Sequence, residues 1–204
     1  MTVKRLFDIF VSLALLLLIW PLLLLIAVLI RLESAGPAVF SQRRAGYKGK
    51  PFTLYKFRTM KSSVEHYGVS PQSGDDARLT GIGKFLRETS LDELPQLWNV
   101  LNGSMSLVGP RPLYERQAEK WNDRQRRRLD IRPGITGWAQ IKGRGEIPIE
   151  EKIELDIYYL EHRSLMLDLK IIMYTVLQSI GKGQGIYEKR YSLSNEREAD
   201  APKD

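Results

Sequence analysis

The sequence predicts an α+β fold, mainly helical, in which an N-terminal membrane helix carries one soluble domain. Three observations predict it. Residues Ile9 to Ile30, "IFVSLALLLLIWPLLLLIAVLI", contain no charged side chain. Two short β-like segments then flank a glycine-rich basic loop. Further on, apolar residues recur at three- and four-residue spacing in separate stretches, the mark of helices with one buried face.

The first element is long enough to cross a hydrocarbon core of about 30 Å at ~1.5 Å per residue. No small-x-small site closes it before Arg31, so it is expected to stay uncleaved. Pro21 sits near its middle, where the missing amide removes a bond to the Leu17 carbonyl, and a kink or break is expected there. Lys4 and Arg5 precede the run, and Arg31, Arg43, Arg44, Lys48 and Lys50 follow it. The positive-inside tendency draws both flanks to the cytoplasm. A hairpin broken at Pro21 satisfies both flanks, and a tilted, kinked single span remains the competing geometry.

Next come two strands, near Ala38–Gln42 and Phe52–Thr59, forming a β-hairpin. Strand alternation puts Lys56 and Arg58 on one face, ~6–7 Å apart, a spacing that suits two phosphates and equally an ordinary solvated face. Residues 61–80 are polar and turn-rich and read as a surface loop ending near Arg78. "GIGKFLRE" lacks the spacing of a phosphate loop and reads as a turn into a short helix. From Leu91 to Leu101 the spacing is helical, with Asn102-Gly103 as a stop. Pro110 and Pro112 then stiffen the backbone around Arg111.

Residues 114–130 read as a basic helix, and "RPGITGWAQIKGRG" as a turn-rich loop carrying Arg132 and Gln140. Ile149, Ile153, Ile157 and Leu160 form one helical stripe, and "LDLKIIMYTVLQSI" a second helix, either packed in a core or lying on a membrane surface. The tail from Tyr187 has no apolar pattern and reads as disordered. The organisation is thus residues 1–35 membrane helix, 36–186 soluble domain, 187–204 tail.

Composition narrows the chemistry. The chain has 31 Lys+Arg against 24 Asp+Glu, two His and no Cys. That excludes disulfides, thiolate nucleophiles and Cys-ligated zinc, and leaves catalysis to carboxylates, hydroxyls, cations or a bound metal. A basic balance points to anionic partners. Across 111–144 there are ten Lys+Arg against four Asp+Glu.

Against that background the adjacent acids Asp92 and Glu93 in "TSLDELPQLWNV" stand out. Ser90-Leu91-Asp92-Glu93 matches a capping box, with Ser90 as cap and Glu93 reaching back. Pro95 disagrees, because a box starting at Ser90 puts it at the fifth position of the helix. With Pro95 in the first turn instead, both acids sit at or just before the helix start, where the dipole favours ionised carboxylates. Side chains of neighbouring helical residues diverge, so the pair is expected to divide two roles: one a nucleophile toward phosphorus, the other a metal ligand or proton carrier. Lys56, Arg58, Arg78, Arg87, Arg111 and Arg132 are candidate cations to offset repulsion from an anionic phosphate, with oxygen-ligated Mg²⁺ as a natural addition.

In order along the chain, "KRLFDIFVSLALLLLIWP", "KFRTM", "TSLDELPQLWNVL", "SLVGPRP", "RPGITGWAQIKGRG", "ELDIYYL" and "LDLKII" resemble the bacterial sugar transferases, the small monotopic polyprenol-phosphate phosphoglycosyl transferases. The resemblance covers the chain to about Ile186. It implies transfer of a sugar 1-phosphate from a UDP-sugar to undecaprenyl phosphate with release of UMP. It further implies Asp92 as the nucleophile forming a phosphosugar-aspartyl intermediate, Glu93 as its partner, and Mg²⁺ as cofactor at the pair. It maps substrate contacts to Lys56, Arg58 and Arg111, and two further acids to Asp156 and Asp168. It favours the re-entrant helix broken at Pro21, interfacial helices, and a catalytic domain on the cytoplasmic face of the bacterial inner membrane. The chain is expected to be the catalytic core form, with lipid and nucleotide-sugar partners, no nucleic acid, and room for a homodimer. Ser104 in "NGSMS" departs from the family's usual acid at that position. The rival readings are a basic membrane adaptor without catalysis and a phosphohydrolase using the same nucleophile with water as acceptor.

Overall fold

The computed structural model describes residues 3–63, 71–119, 121–180 and Tyr187. Residues 64–70 of the expected loop at 61–80, and all of the expected tail except Tyr187, therefore lie outside the described residues.

Helix α1, Val3–Glu33, is long and apolar enough to cross a membrane. One stripe of it packs on the rest of the chain over its whole length: Phe7, Val11, Leu16 and Ile19 against one core cluster, Leu23, Ile26, Ala27 and Ile30 against a second. The other faces are bare, with Leu13, Leu17, Leu18, Trp20, Leu24 and Leu25 exposed. Helical backbone continues through Pro21, so the expected break is not an interruption of the helix. One missing amide bond is tolerable in a helix held at both ends. At the start, Arg5 donates to the Val100 and Leu101 carbonyls (2.6 and 3.0 Å) and Lys4 to Asp168 (2.6 Å). At the end, Glu33 accepts from the amides of Gly81 (2.7 Å) and Ile82 (3.1 Å).

Strands β1, Val39–Ala45, and β2, Pro51–Phe57, form the expected antiparallel hairpin, in register from Val39↔Phe57 to Ala45↔Pro51. Helix α2, Gly81–Glu88, begins on Thr80, whose Oγ1 accepts from the Gly83 amide (2.9 Å). The glycines of "GIGKFLRE" serve packing, since a Cβ on Gly83 would stand 2.0 Å from the Thr59 carbonyl oxygen. A 3₁₀ turn at Leu91–Glu93 leads into α3, Gln96–Leu101.

Strand β3, Ser106–Val108, pairs in parallel with a later strand, an element the sequence reading lacks. The expected helix over 114–130 is three short pieces: α4, Glu115–Glu119; α5, Asp123–Arg126, opened by a reciprocal Asn122/Gln125 capping box; and a 3₁₀ turn at Arg127–Asp130. The expected loop at 132–145 contains β4, Gly134–Thr136, the partner of β3, and α6, Trp138–Lys142. Helices α7, Ile149–His162, and α8, Leu165–Ile180, follow as expected.

The main core joins Leu54, Leu97, Val100, Met105, Leu107, Val108, Ile131, Tyr159 and Ile171, so the hairpin, α3, β3, α7 and α8 share one interior. Each such aliphatic contributes about 1.5–3 kcal/mol relative to exposure. Helix α8 buries Ile171 but exposes Met166, Leu169, Met173, Tyr174, Val176 and Leu177.

Candidate active site

The carboxylate pair sits in the reversal between α2 and α3. Thr89 ends α2 by donating its hydroxyl to the Phe85 carbonyl (2.8 Å). Ser90 follows at φ 58°, ψ 15°, in the left-handed region, and makes no side-chain cap. The capping-box expectation fails for that reason: a residue that turns the chain with positive φ does not hold its hydroxyl over the next turn as an extended N-cap does. Holding a non-glycine there costs about 1–2 kcal/mol, a strain localised beside the acids. Pro95 directly precedes α3, where its missing amide breaks no helical bond. Leu91 anchors one side of the pair in the second core cluster, and Leu97 and Val100 the other side in the first.

The two acids are treated differently. Glu93 accepts from Arg111 Nη2 at 2.8 Å. Asp92 is 8 % exposed, yet no hydrogen bond or ion pair from a described residue reaches its carboxylate. Burial pushes its pKa up to about 6, with the Glu93 charge adding to the rise and Lys56, Arg87 and Arg111 opposing it. Burial thus outweighs the helix-start field expected from the sequence, since six-residue α3 offers little dipole. Lys56 is pushed the other way, down to about 8, by burial and then by Arg87, with Asp92 opposing. Its Nζ lies 5.2 Å from the Phe40 ring centre. Arg87, also depressed by burial, is aimed by a 2.8 Å bond from its Nε to Thr59 Oγ1. Lys56, Arg87 and Arg111 therefore surround Asp92 at charge–charge range without closing on it.

Arg111 is held from behind. Its carbonyl accepts from Arg128 Nη2 (2.9 Å), and the same guanidinium pairs with Asp156 in the interior. Arg128 also lies 5.0 Å from the Trp121 ring centre. Asp156, mapped from the sequence as a site acid, thus reaches the site only through Arg128. Close packing fixes the loop as well: a Cβ on Gly109 would stand 2.4 Å from the Arg132 carbonyl oxygen.

Several sequence-chosen residues lie elsewhere. Arg58 follows the end of β2, where strand alternation stops applying, and its buried guanidinium donates to the carbonyls of Ala35, Ser34 (2.7 Å) and Ile30 (3.5 Å) at the end of α1. It closes a helix and does not share a phosphate-binding face with Lys56. Arg78 pairs with Asp76 (2.7 Å), whose carboxyl it lowers to about 2. Arg132 donates to the Gly103 carbonyl (2.8 Å) beside the start of α1. Gln140 donates a long bond to the Ile135 carbonyl (3.5 Å). Asp168 is buried between Lys4 and the Tyr159 hydroxyl. Ser104 is a turn residue, its hydroxyl 2.8 Å from Asn102 Oδ1 and 3.1 Å from the Asn99 carbonyl.

Sequence reasoning missed Arg128 and Asp8. Arg128 is one of three consecutive arginines, and spacing alone does not separate the buried one from its exposed neighbours. Asp8 did carry a signal, as an acid at the edge of an apolar run. It accepts from the Ser106 hydroxyl (2.8 Å) and the Leu107 amide (3.2 Å), tying α1 to β3.

Among the described residues no three acids or histidines cluster as a metal-binding group. Asp92 and Glu93 alone fit Mg²⁺, which commonly takes one or two carboxylates and completes its octahedron with phosphate oxygens and water.

A family profile described as bacterial sugar transferase matches residues 1–182. The uncharacterized sugar transferase EpsL of Bacillus subtilis (strain 168) is 48% identical, over 86% of each chain. The exopolysaccharide production protein PSS of Rhizobium leguminosarum bv. phaseoli is 41% identical, over 91% of this chain and 98% of its own. A UDP-glucose:undecaprenyl-phosphate glucose-1-phosphate transferase of Escherichia coli (strain K12) is 44% identical over 86% of this chain, which spans 39% of that longer protein.

Proposed function

The chain belongs to the bacterial sugar transferase family, and we propose that it transfers a sugar 1-phosphate from a UDP-sugar to undecaprenyl phosphate, releasing UMP. The observation that carries this reading is the unpartnered, buried Asp92 carboxylate facing three cations. A structural carboxylate in such a place takes a partner; this one is left with lone pairs to offer.

Asp92 attacks the β-phosphorus of the nucleotide sugar, a P–O bond forms, and the bond to the bridging oxygen breaks, with its electrons leaving on UMP. A phosphate oxygen of the lipid then attacks the same phosphorus and restores the Asp92 carboxylate. Repulsion between the carboxylate and each phosphate charge is about 4 kcal/mol at 4 Å and an effective dielectric near 20. Lys56, Arg87 and Arg111 offset it, and Arg111, fixed by Pro110, Pro112 and Arg128, does so without reorganising. Glu93 holds the Arg111 fork. Asp92 and Glu93 would also hold Mg²⁺, which supplies Lewis-acid polarisation of the phosphoryl oxygens when bound.

The lipid acceptor fits the apolar surfaces. Both ends of α1 are tied to one folded body, and its unpacked face is bare from Leu13 to Leu25, an apolar surface suited to the hydrocarbon of one leaflet. The exposed apolar side chains of α8, Met166, Leu169, Met173, Tyr174, Val176 and Leu177, add a second surface suited to the lipid interface. On this reading the catalytic domain lies on the cytoplasmic face of the inner membrane, the side that the positive flanks of α1 favour, at the first membrane step of a bacterial glycan pathway.

The test is purified protein, a panel of UDP-sugars, and Mg²⁺. Sustained UMP release is expected only with undecaprenyl phosphate present, and none from Asp92→Asn. Sustained release without lipid means that water is the acceptor, and an active Asn variant removes Asp92 from the chemistry.

A further inference from the structure

The cationic site continues along the free edge of β1. The Leu113 carbonyl accepts from the Ala45 amide (3.0 Å), so residues 111–114 run beside that strand. At no more than ~3.6 Å per residue, the Tyr114 backbone lies within about 11 Å of Arg111. There a cleft of about 310 Å³ is lined by Arg43, Tyr114, Glu115 and Arg116. The volume lies at the lower end of the range for small-molecule sites. The Arg44 guanidinium sits 3.8 Å from the Tyr114 ring centre, and that of Arg116 at 5.5 Å. Glu115 Oε1 accepts from Arg43 Nε at 3.0 Å, and Oε2 accepts no hydrogen bond from a described residue.

Building on the UDP-sugar reading above, we propose that this cleft is the nucleobase subsite and that Glu115, flanked by Arg43 and Arg116, selects uracil over cytosine. The pairing edge of uracil presents an acceptor at O2, a donor at N3–H and an acceptor at O4. The Glu115 carboxylate, with the Arg43 guanidinium bonded to it and that of Arg116 lining the same cleft, supplies the complement: donor, acceptor, donor. Cytosine puts an unprotonated N3 against the carboxylate and an amino group against a guanidinium, so both contacts become like against like. Arg111 at one end of the 111–116 segment meets the phosphates, and Glu115 near the other meets the base, so one stretch of chain spans the nucleotide.

The test is calorimetric titration of the full-length protein in lipid nanodiscs with UDP and with CDP, both with Mg²⁺. The wild type is expected to bind UDP at least about tenfold more tightly than CDP. In Glu115→Gln the amide can donate to cytosine N3, and the ratio is expected to fall to about threefold or less. Arg116→Ala, which leaves Glu115 in place, should weaken UDP more than CDP and serves if the Gln variant does not fold. A folded Glu115→Gln with an unchanged UDP:CDP ratio overturns the subsite and leaves the UDP-sugar reading standing. A wild type that binds neither nucleotide overturns both.

Discussion

Two clusters of acids and bases lie at opposite ends of the α1–α3 packing, and they are built on opposite rules. In the cluster at the start of α1, Asp168 takes Lys4 and the Tyr159 hydroxyl, and Asp8 takes the Ser106 hydroxyl and the Leu107 amide. Both of these carboxylates are satisfied, and the cluster fastens the membrane helix to α8 and β3. In the cluster between α2 and α3, Glu93 has Arg111, but Asp92 is as buried as a core residue and takes no hydrogen bond from a described residue. The first arrangement trades desolvation for contacts and holds the fold together. The second leaves desolvation uncompensated, so its energy is available to substrate. Among buried charges, then, pairing marks structure and its lack marks chemistry.

The contrast can be broken most directly at Asp92. Asp92→Asn should cost at least ~10³-fold in kcat while leaving the protein folded. Its thermal midpoint should rise by a few degrees. The folded pKa of Asp92, about 6, is above that of the unfolded chain, so its contribution favours the folded state at low pH and is lost as pH rises through 6. Removing the charge restores that loss at neutral pH, which scanning calorimetry reads. Asp168→Ala should behave in the opposite way. It leaves Lys4 only Asp8 at 3.9 Å and the Tyr159 hydroxyl only its 3.3 Å bond to the Val108 carbonyl, and should destabilise by about 3 kcal/mol in denaturant titration, while the folded fraction keeps its KM for nucleotide sugar.

Arg111→Lys tests how far geometry matters within the reactive cluster. A lysine keeps the charge but not the planar fork on Glu93, and kcat/KM should fall about 10- to 50-fold. The pH profile comes next in size. Activity needs ionised Asp92 and protonated Lys56, so kcat/KM should rise through about pH 6 and fall above about pH 8. Lys56→Arg should move the alkaline limb upward. Arg132→Ala should give the smallest effect, within about threefold in kcat/KM, because its guanidinium serves the Gly103 carbonyl.

These expectations also show where the sequence was informative. The acid pair was legible because two adjacent carboxylates in a basic chain, followed at once by proline, fit no ordinary helix start well. The long helix was legible from its uncharged apolar run, and the hairpin and the last two helices because each has a clear period. Residues whose roles depend on where the chain goes next were not. Arg58 belongs to the strand pattern by sequence, but the strand ends at Phe57 and the side chain turns to α1. Strands β3 and β4 have three residues each, too few for alternation to register, and they pair across a span that local patterns do not reach. Ser90 reads as a cap until its positive φ is known, and Asp156 as a site acid until Arg128 is found between it and Arg111.

The central claim is that Asp92 is kept unpaired in order to bond to phosphorus. Intact mass spectrometry of the wild type, incubated with a UDP-sugar and Mg²⁺ and no acceptor lipid, tests it most directly. The account predicts one added sugar phosphate per chain, mapped to Asp92, absent from Asp92→Asn and discharged by undecaprenyl phosphate. Absence of any adduct from a wild type that turns over normally once lipid is supplied would contradict it, as would an adduct that persists in Asp92→Asn.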